Sequence, residues 1–342
     1  MSIEDFYNFT TGWWPYIISI VITIISSIRI YMGGPQCPSK NRMDGKIVLI
    51  TGGSSGLGFE TAKELAKRGA TIILTCRDYQ KGQKAIDKIR RYAKDPKIDL
   101  KLLDVSEMGN IRRFVMLIKK YYNKIDVLIN NAGIIFQPRM KTSEGFELTL
   151  ATNYLGSFLL THLLLPLLRQ APNSRVINLT CLSHMAGRIN IRDLNMDRRY
   201  SETEAFAQSK LALVMFTRHL ASLLKNRGST TTVYAVNPGI VRNTNHLKSS
   251  PFAKSLMARI STFPWIWLFL KTPHQGSQTI IYTVVEPTLS SISGAYLSDC
   301  DITEPSEYAK NEATSKQLYE ATCKMIDLKD EETLSGLISQ QT

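Results

Sequence analysis

The chain has 342 residues and a formal net charge of +13, a length that one large α/β unit with a short appendage accounts for. It holds no run of five or more like charges and no zinc-finger or basic-zipper spacing. The charge therefore argues against nucleic acid and is left to an anionic membrane surface or a phosphorylated cofactor. Five cysteines, an odd number without a CxxC pair, exclude a disulfide framework and a structural zinc site; no metal is expected, and a reducing compartment such as the cytosol fits best.

From Phe6 to Ile28 no residue is charged, and the apolar centre, Trp13 to Ile28, is rich in Ile and Val. Trp13, Trp14 and Tyr16 stand at one end of it. About 20 apolar residues cross a bilayer as a helix, and aromatic side chains prefer the headgroup zone. The alternative, a cleaved signal peptide, lacks a basic leading region and a small-residue cleavage site. Glu4 and Asp5 precede the span, whereas Arg29, Lys40, Arg42 and Lys46 follow it; the positive side stays cytoplasmic. The expectation is a short lumenal or external N-terminus (1–12), a single transmembrane anchor (13–32) and a linker (33–45). A main domain (46–300) then faces the cytosol and ends in a helical tail (301–342). Within the linker, Gly33 to Ser39 reads as a flexible hinge. Asn8-Phe9-Thr10 matches a glycosylation acceptor but lies too near the membrane to carry weight.

Beyond Asp44-Gly45, short apolar runs alternate with amphipathic stretches. The runs at 46–51, 71–76, 99–104, 126–131, 175–180, 231–236 and 294–299 read as strands. Strands alternating with helices form parallel βαβ units. Right-handed crossovers on both faces then give a Rossmann-like, doubly wound parallel α/β sheet of seven strands. Thr51 to Gly58 reads TGGSSGLG, directly after the first strand and opening a helix. Gly52 permits the sharp turn, and Gly56 and Gly58 permit close backbone approach. The helix N-terminus offers free N–H groups to a pyrophosphate. Ser54, Ser55 and Leu57 complete the expected phosphate loop.

The spacing is TGxxxGxG rather than GxGxxG. Asn130-Asn131-Ala132-Gly133 stands at the fourth strand, Asp104-Val105 at the third, and Pro238-Gly239 after the sixth. On these motifs the chain from about Lys46 to Leu328 resembles the short-chain dehydrogenase/reductase superfamily. The resemblance implies that Asp104 and Val105 contact adenine. It also places Asn131, Ala132, Gly133, Pro238 and Gly239 in the cofactor site and makes Asn153 a structural and proton-relay asparagine. Two signals bear on the nucleotide. Arg77, one residue past the second strand, can pair with a 2′-phosphate. Asp78 lies about 20 residues beyond Gly58, where an NAD-type acid is expected. The stretch CRDYQKG (76–82) resembles the retinol dehydrogenase branch, which implies NADP(H), so Arg77 is favoured; Arg77 as a plain surface charge is the alternative.

The family carries a Tyr and a Lys four residues apart on one helix face, with a serine at the end of the fifth strand. Here Lys210 fits, but the tyrosine position is Phe206 and the serine position is Cys181. The alignment runs through RVINLTCLSHMAGRI (175–189), which is similar to the retinol dehydrogenase pattern. Phe206 cannot donate, accept or ionise, and a thiol is a weak donor. Loss of a general acid typically costs about 10²–10⁴ in rate. The PGxVxT motif also departs, with Asn243 in the threonine's place and Thr244 adjacent. Tyr200, Ser183, Ser209 and His184 lie near the site in sequence as candidate replacements, and Lys210 beside Cys181 raises the alternative of thiolate chemistry.

The run from Phe263 to Leu270 is too short to span a bilayer. It lines an apolar tunnel, dips into the membrane surface, or is core. KQLYEATCKMIDL (316–328) reads as a terminal helix packed on the domain. The resemblance implies a lipophilic alcohol or aldehyde as substrate, NADP as cofactor and the endoplasmic reticulum membrane as location. It also allows a homodimer through the YxxxK helix. Two functions stand: an oxidoreductase of the retinol dehydrogenase type, or a cofactor-binding pseudoenzyme that acts as a scaffold or lipid-ligand binder.

Overall fold

All seven apolar runs form strands in the computed structural model, which describes residues 12–242, 265 and 267–329. They are β1 (Ile47–Ile50), β2 (Thr71–Cys76), β3 (Ile98–Leu102), β4 (Val127–Asn130), β5 (Arg175–Leu179), β6 (Thr232–Asn237) and β7 (Tyr296–Ser298). An eighth strand, β8 (Asp301–Thr303), corrects the expected seven. The sheet order is β3-β2-β1-β4-β5-β6-β7-β8, parallel except for the antiparallel β7–β8 pair. A two-residue hairpin joins that pair, with Asp299 at φ 51° and Cys300 at φ 59°. Both central residues are left-handed, as the favoured hairpin turns require.

The helices are α1 (Trp14–Gly33), α2 (Gly56–Lys67), α3 (Tyr79–Arg90), α4 (Met108–Tyr121), α5 (Leu148–Arg169), α6 (Glu202–Lys225), α7 (Pro273–Val285) and α8 (Glu312–Met325). Strand side chains alternate between two cores. Leu49, Ile73, Leu128 and Val176 face the layer of α4, α5 and α6. Val48, Ile50, Ile72, Leu74 and Ile129 face the layer of α2 and α7. The strand order reverses beside β1, which opens a crevice at the carboxyl ends of β1 and β4, where open α/β sheets take their ligands.

Two helices are long and apolar enough to cross a membrane, and burial separates them. α5 is 94% buried, the core helix of the sheet's inner layer, whereas α1 is 6% buried. The segment after α1, expected to be a flexible hinge, is instead tied to the domain. The Cys37 N–H donates to Gln278 of α7 (3.0 Å), and the Arg68 guanidinium donates to the carbonyls of Ser39 (2.8 Å) and Asn41 (3.1 Å).

α8 packs on α5 and α6 as the sequence led one to expect. Tyr154 and Thr322 share a hydrogen bond of 2.8 Å, as do His162 Nε2 and the Tyr319 hydroxyl. Phe158, Phe216 and Tyr319 stack around them. The chain's own last described helix thus covers part of the α6 face left by the sheet. All of the expected N-terminus (1–12) but Gly12, with the Asn8 acceptor, Asn243, Thr244, residues 255–264 and 266, and the tail beyond 329, lie outside the described residues.

Candidate active site

The β1–α2 loop is built by its glycines. Gly52 (φ 66°) and Gly56 (φ 58°) adopt left-handed backbone that other residues rarely tolerate. A Cβ on Gly58 would stand 2.5 Å from Asn131 Nδ2 and 2.6 Å from the Gly52 carbonyl oxygen. Ser55, the N-cap of α2, makes no side-chain cap bond, so the first amides of the helix remain free for an anion.

Asn131, which lines the cleft, also braces the loop. Its side chain donates to the carbonyls of Thr51 (2.7 Å) and Gly52 (3.1 Å). Thr51 Oγ1 in turn accepts from the amides of Asn131 and Ala132, both at 2.9 Å. This clasp fixes the loop against the end of β4. Thr51 is thus a site residue that the TGxxxGxG motif opens on but whose role only the folded loop shows.

One cleft of about 180 Å³ is lined by Gly52, Ser54, Ser55, Gly56, Leu57, Arg77, Asp104, Val105, Asn131, Ala132 and Gly133, with Cys76, Leu103, Ile134 and Thr152 added. An adjoining hollow of about 540 Å³ shares Ser54, Ser55, Gly56 and Arg77 and adds Lys81, Lys84 and Lys88. Asp78 also borders it, but its carboxylate caps α3, accepting from the Lys81 amide at 3.1 Å and pairing with Lys81 Nζ at 3.3 Å. The Lys81 amide bond is the leading reason the Asp78 carboxyl is held below its usual value. Arg77 has no hydrogen-bond or ion-pair partner among the described residues. Asp104 Oδ1 accepts from the Ser106 amide (3.0 Å) and hydroxyl (2.7 Å). Gly58 lies behind the cleft wall. Pro238 and Gly239 (φ 75°) pack beside Gly276 of α7 and the Lys271 side chain.

The catalytic positions converge beside Gly133. A Cβ there would sit 3.1 Å from Asn153 Oδ1 and 3.6 Å from Lys210 Nζ. Asn153 lies on a π-turn, Ala151–Leu155, within α5. Its Oδ1 accepts from the Ile134 amide (2.8 Å), and its Nδ2 donates to the Ile134 carbonyl (2.9 Å) and to Ser209 Oγ (3.0 Å). Lys210 Nζ donates to the Leu179 carbonyl at 3.0 Å. Burial pushes its ammonium below the ordinary value, and the neighbouring Cys181 acts in the opposite direction. Phe206 is buried with its ring edge-on to Phe136, centroids 5.4 Å apart, and Lys210 Nζ stands 5.8 Å from its centroid. Cys181 is a half-buried free thiol at the end of β5.

Three of the candidate replacements, Tyr200, Ser209 and His184, are engaged elsewhere. The Tyr200 hydroxyl donates to the Gln137 carbonyl (2.8 Å) and lies 3.2 Å from Glu147, and burial raises its pKa to about 12. Ser209 Oγ donates to the Phe206 carbonyl (2.7 Å). His184 is a structural bridge: Nδ1–H donates to the Cys181 carbonyl (2.8 Å), which leaves Nε2 to accept from the Ser306 amide (3.2 Å). Burial is the main reason its pKa is depressed. Its neutral form therefore stabilises the fold, and stability is lost as pH falls through about 6.5 and below. His184→Gln is expected to flatten the melting-temperature profile between about pH 7 and pH 5; an unchanged slope would remove His184 from that account.

The short chain dehydrogenase family model matches residues 46–253, and the chain belongs to that family, whose members bind nicotinamide cofactors. It sits in the retinol dehydrogenase-like branch. Retinol dehydrogenase 12 of Bos taurus is 40% identical over 91% of this chain and 96% of its own length. Retinol dehydrogenase 13 of Mus musculus is 37% identical over 91% of this chain and 93% of its own. Among solved structures, an uncharacterised protein from Mycobacterium Paratuberculosis superimposes with a TM-score of 0.69 at 31% identity, covering 86% of this chain and 98% of that one.

Proposed function

We propose that this chain is a membrane-anchored NADP(H)-binding protein that admits a lipophilic alcohol or aldehyde beside the cofactor but has lost the proton-transferring phenol needed for ordinary turnover. The observation that carries the reading is the seat of Phe206: a phenylalanine stands beside Lys210, Asn153 and the nucleotide cleft, while Tyr200, Ser209 and His184 are each bonded elsewhere. The glycine cradle and the free amides of α2 suit a pyrophosphate. Arg77, Lys81, Lys84 and Lys88 suit a 2′-phosphate, whereas Asp78 is occupied as a helix cap. Bound there, a nicotinamide would supply or accept hydride. Lys210 and Asn153 would hold the ribose and the buried polar network around it. The exposed α1 supports an anchor with the domain on its positively charged, cytosolic side, and the resemblance favours the endoplasmic reticulum.

The test is a thermal shift of the full-length chain in detergent, titrated with NADPH and NADH. Saturable stabilisation by NADPH, greater than by NADH, is expected; no shift with either would end the cofactor reading. Arg77→Ala is expected to weaken NADPH about tenfold or more by removing one charge-assisted contact while leaving NADH nearly unchanged. Equal losses for both nucleotides would remove Arg77 from 2′-phosphate recognition. A second reading, an active oxidoreductase, draws on the retained Lys210–Asn153 network. It requires hydride transfer to a lipid aldehyde that falls when Lys210 is replaced by Met.

A further inference from the structure

The chain has four tryptophans, and they stand in two places. Trp13 and Trp14 open α1. Trp265 and Trp267 lie in the segment before α7, far away in sequence. Trp265 is 63% exposed and Trp267 39%, and Phe269, stacked parallel to Trp265 with centroids 6.0 Å apart, is 40% exposed. Large aromatic rings left in water in this number mark a surface meant for another phase or partner.

The end of α1 identifies that phase. Arg29 is the first charged residue after the uncharged stretch that begins at Phe6. Its guanidinium donates to the Leu270 carbonyl (3.3 Å) and to Gln275 Oε1 (2.9 Å), and it lies 5.8 Å from the Trp267 ring centroid. Four residues on, Gly33 packs so closely on the Gln275 side chain that a methyl group there would overlap it. The helix end is therefore clamped to the tryptophan segment instead of hanging from a loose tether.

Length then sets the depth. Between Trp14 and Arg29 a helix rises roughly 23 Å, short of the roughly 30 Å of hydrocarbon it has to cross. A helix that short holds Arg29 close under the headgroups, and whatever is bonded to Arg29 is drawn to the same level. Arg242 stands near enough to Arg29 for the two guanidiniums to repel, a pairing that anionic headgroups relieve. Tryptophans at both ends of a span are the usual occupants of the two interfacial zones.

We infer that Trp265, Trp267 and Phe269 form a second membrane contact, seated in the headgroup layer of the leaflet on the domain's side and locked to the anchor through Arg29. The inference rests on the reading of α1 as a membrane span and selects membrane contact among the three roles open to the Phe263–Leu270 run. Through the Val241–Lys271 bridge the same segment is joined to the chain that follows Gly239. The substrate side of the domain therefore faces lipid, and a lipophilic ligand reaches it from the bilayer without crossing water.

The tryptophan distribution supplies the experiment. Full-length Trp13→Phe/Trp14→Phe protein keeps Trp265 and Trp267 as its only fluorophores of this type. It is reconstituted into phosphatidylcholine–phosphatidylserine vesicles whose acyl chains are brominated either near the headgroup or near the chain end. Shallow bromines are expected to quench its emission strongly and deep bromines weakly, with a blue shift relative to the protein in detergent-free buffer containing urea. The companion Trp265→Phe/Trp267→Phe reports on the anchor alone. Quenching of the companion without quenching of the first variant would overturn the second contact while leaving the anchor in place. Absence of quenching in both would remove the anchor and this inference together, and the NADPH thermal shift would still stand as a separate test of the cofactor cleft.

Discussion

Full-length protein carrying Phe206→Tyr together with Cys181→Ser is expected to reduce a long-chain lipid aldehyde with NADPH about 10²–10⁴ times faster than the natural chain, the range general acid catalysis supplies. The surroundings favour the gain. Lys210 is already buried at the ring, with Nζ 5.8 Å from its centroid, so a phenol placed there has a cation to stabilise its ionised form. The new hydroxyl has room to be accommodated, because the neighbour met by Phe206 is Phe136, a half-exposed loop residue with φ 45°. The serine restores a hydroxyl donor to the substrate oxygen, where the thiol is weak. Cys181→Ser alone should change little, since no acid is present to complete proton transfer; Phe206→Tyr alone should recover part of the gain. The measurement is NADPH oxidation at saturating aldehyde, read alongside NADPH binding. A double variant that binds NADPH and still fails to turn over would show that the substrate side has been lost as well, leaving a scaffold or a binder of other ligands.

The parts of this molecule that were legible in the sequence are those where one residue type is forced by local geometry. Gly52 and Gly56 are glycines because the turn needs positive φ, and the apolar runs are strands because both faces of a parallel sheet are buried. The parts that were not legible depend on where a side chain points after folding. Asn131 belongs to a recognisable motif, yet only the assembled loop shows that its amide is spent on Thr51 and Gly52. Asp78 could be an acid for ribose or a helix cap on spacing alone. Its capping role was foreshadowed by its position just before the amphipathic stretch of α3. β8 gave no signal: its three residues are all exposed, and its hairpin uses Asp299 and Cys300 in place of the usual glycine. The hinge reading of Gly33 to Ser39 rested on glycine and proline, whereas the backbone of Cys37 and Ser39 in that segment is bonded to α7 and Arg68.

The π-turn in α5 was equally hidden, since the apolar pattern of 148–169 reads as an ordinary helix, and it leads to the second large expected effect. The extra residue in that turn sets Asn153 against Ile134 and Ser209, and the helix resumes at Gly156. Gly156 is there because α5 passes directly over the third-strand loop: a methyl group on it would overlap the carbonyl oxygen of Val105. Backbone cannot swing aside as a long side chain can, so Gly156→Ala must push α5 and the Val105 loop apart. Overpacking of this kind costs about 3 kcal/mol at its upper range, which corresponds to a fall in melting temperature of roughly 4 °C for a chain of this size. The functional consequence is coupled to the structural one. Val105 lines the nucleotide cleft and Asn153 braces its other wall, so separation of the two should diminish NADPH stabilisation beyond the loss of intrinsic stability. Gly133→Ala is the control. Its methyl would meet Asn153 Oδ1 at 3.1 Å, within the site but away from the α5 crossing, so it should weaken NADPH with a smaller loss of melting temperature. If Gly156→Ala melts like the natural chain and binds NADPH equally well, the α5 crossing is not what holds the Val105 loop to Asn153.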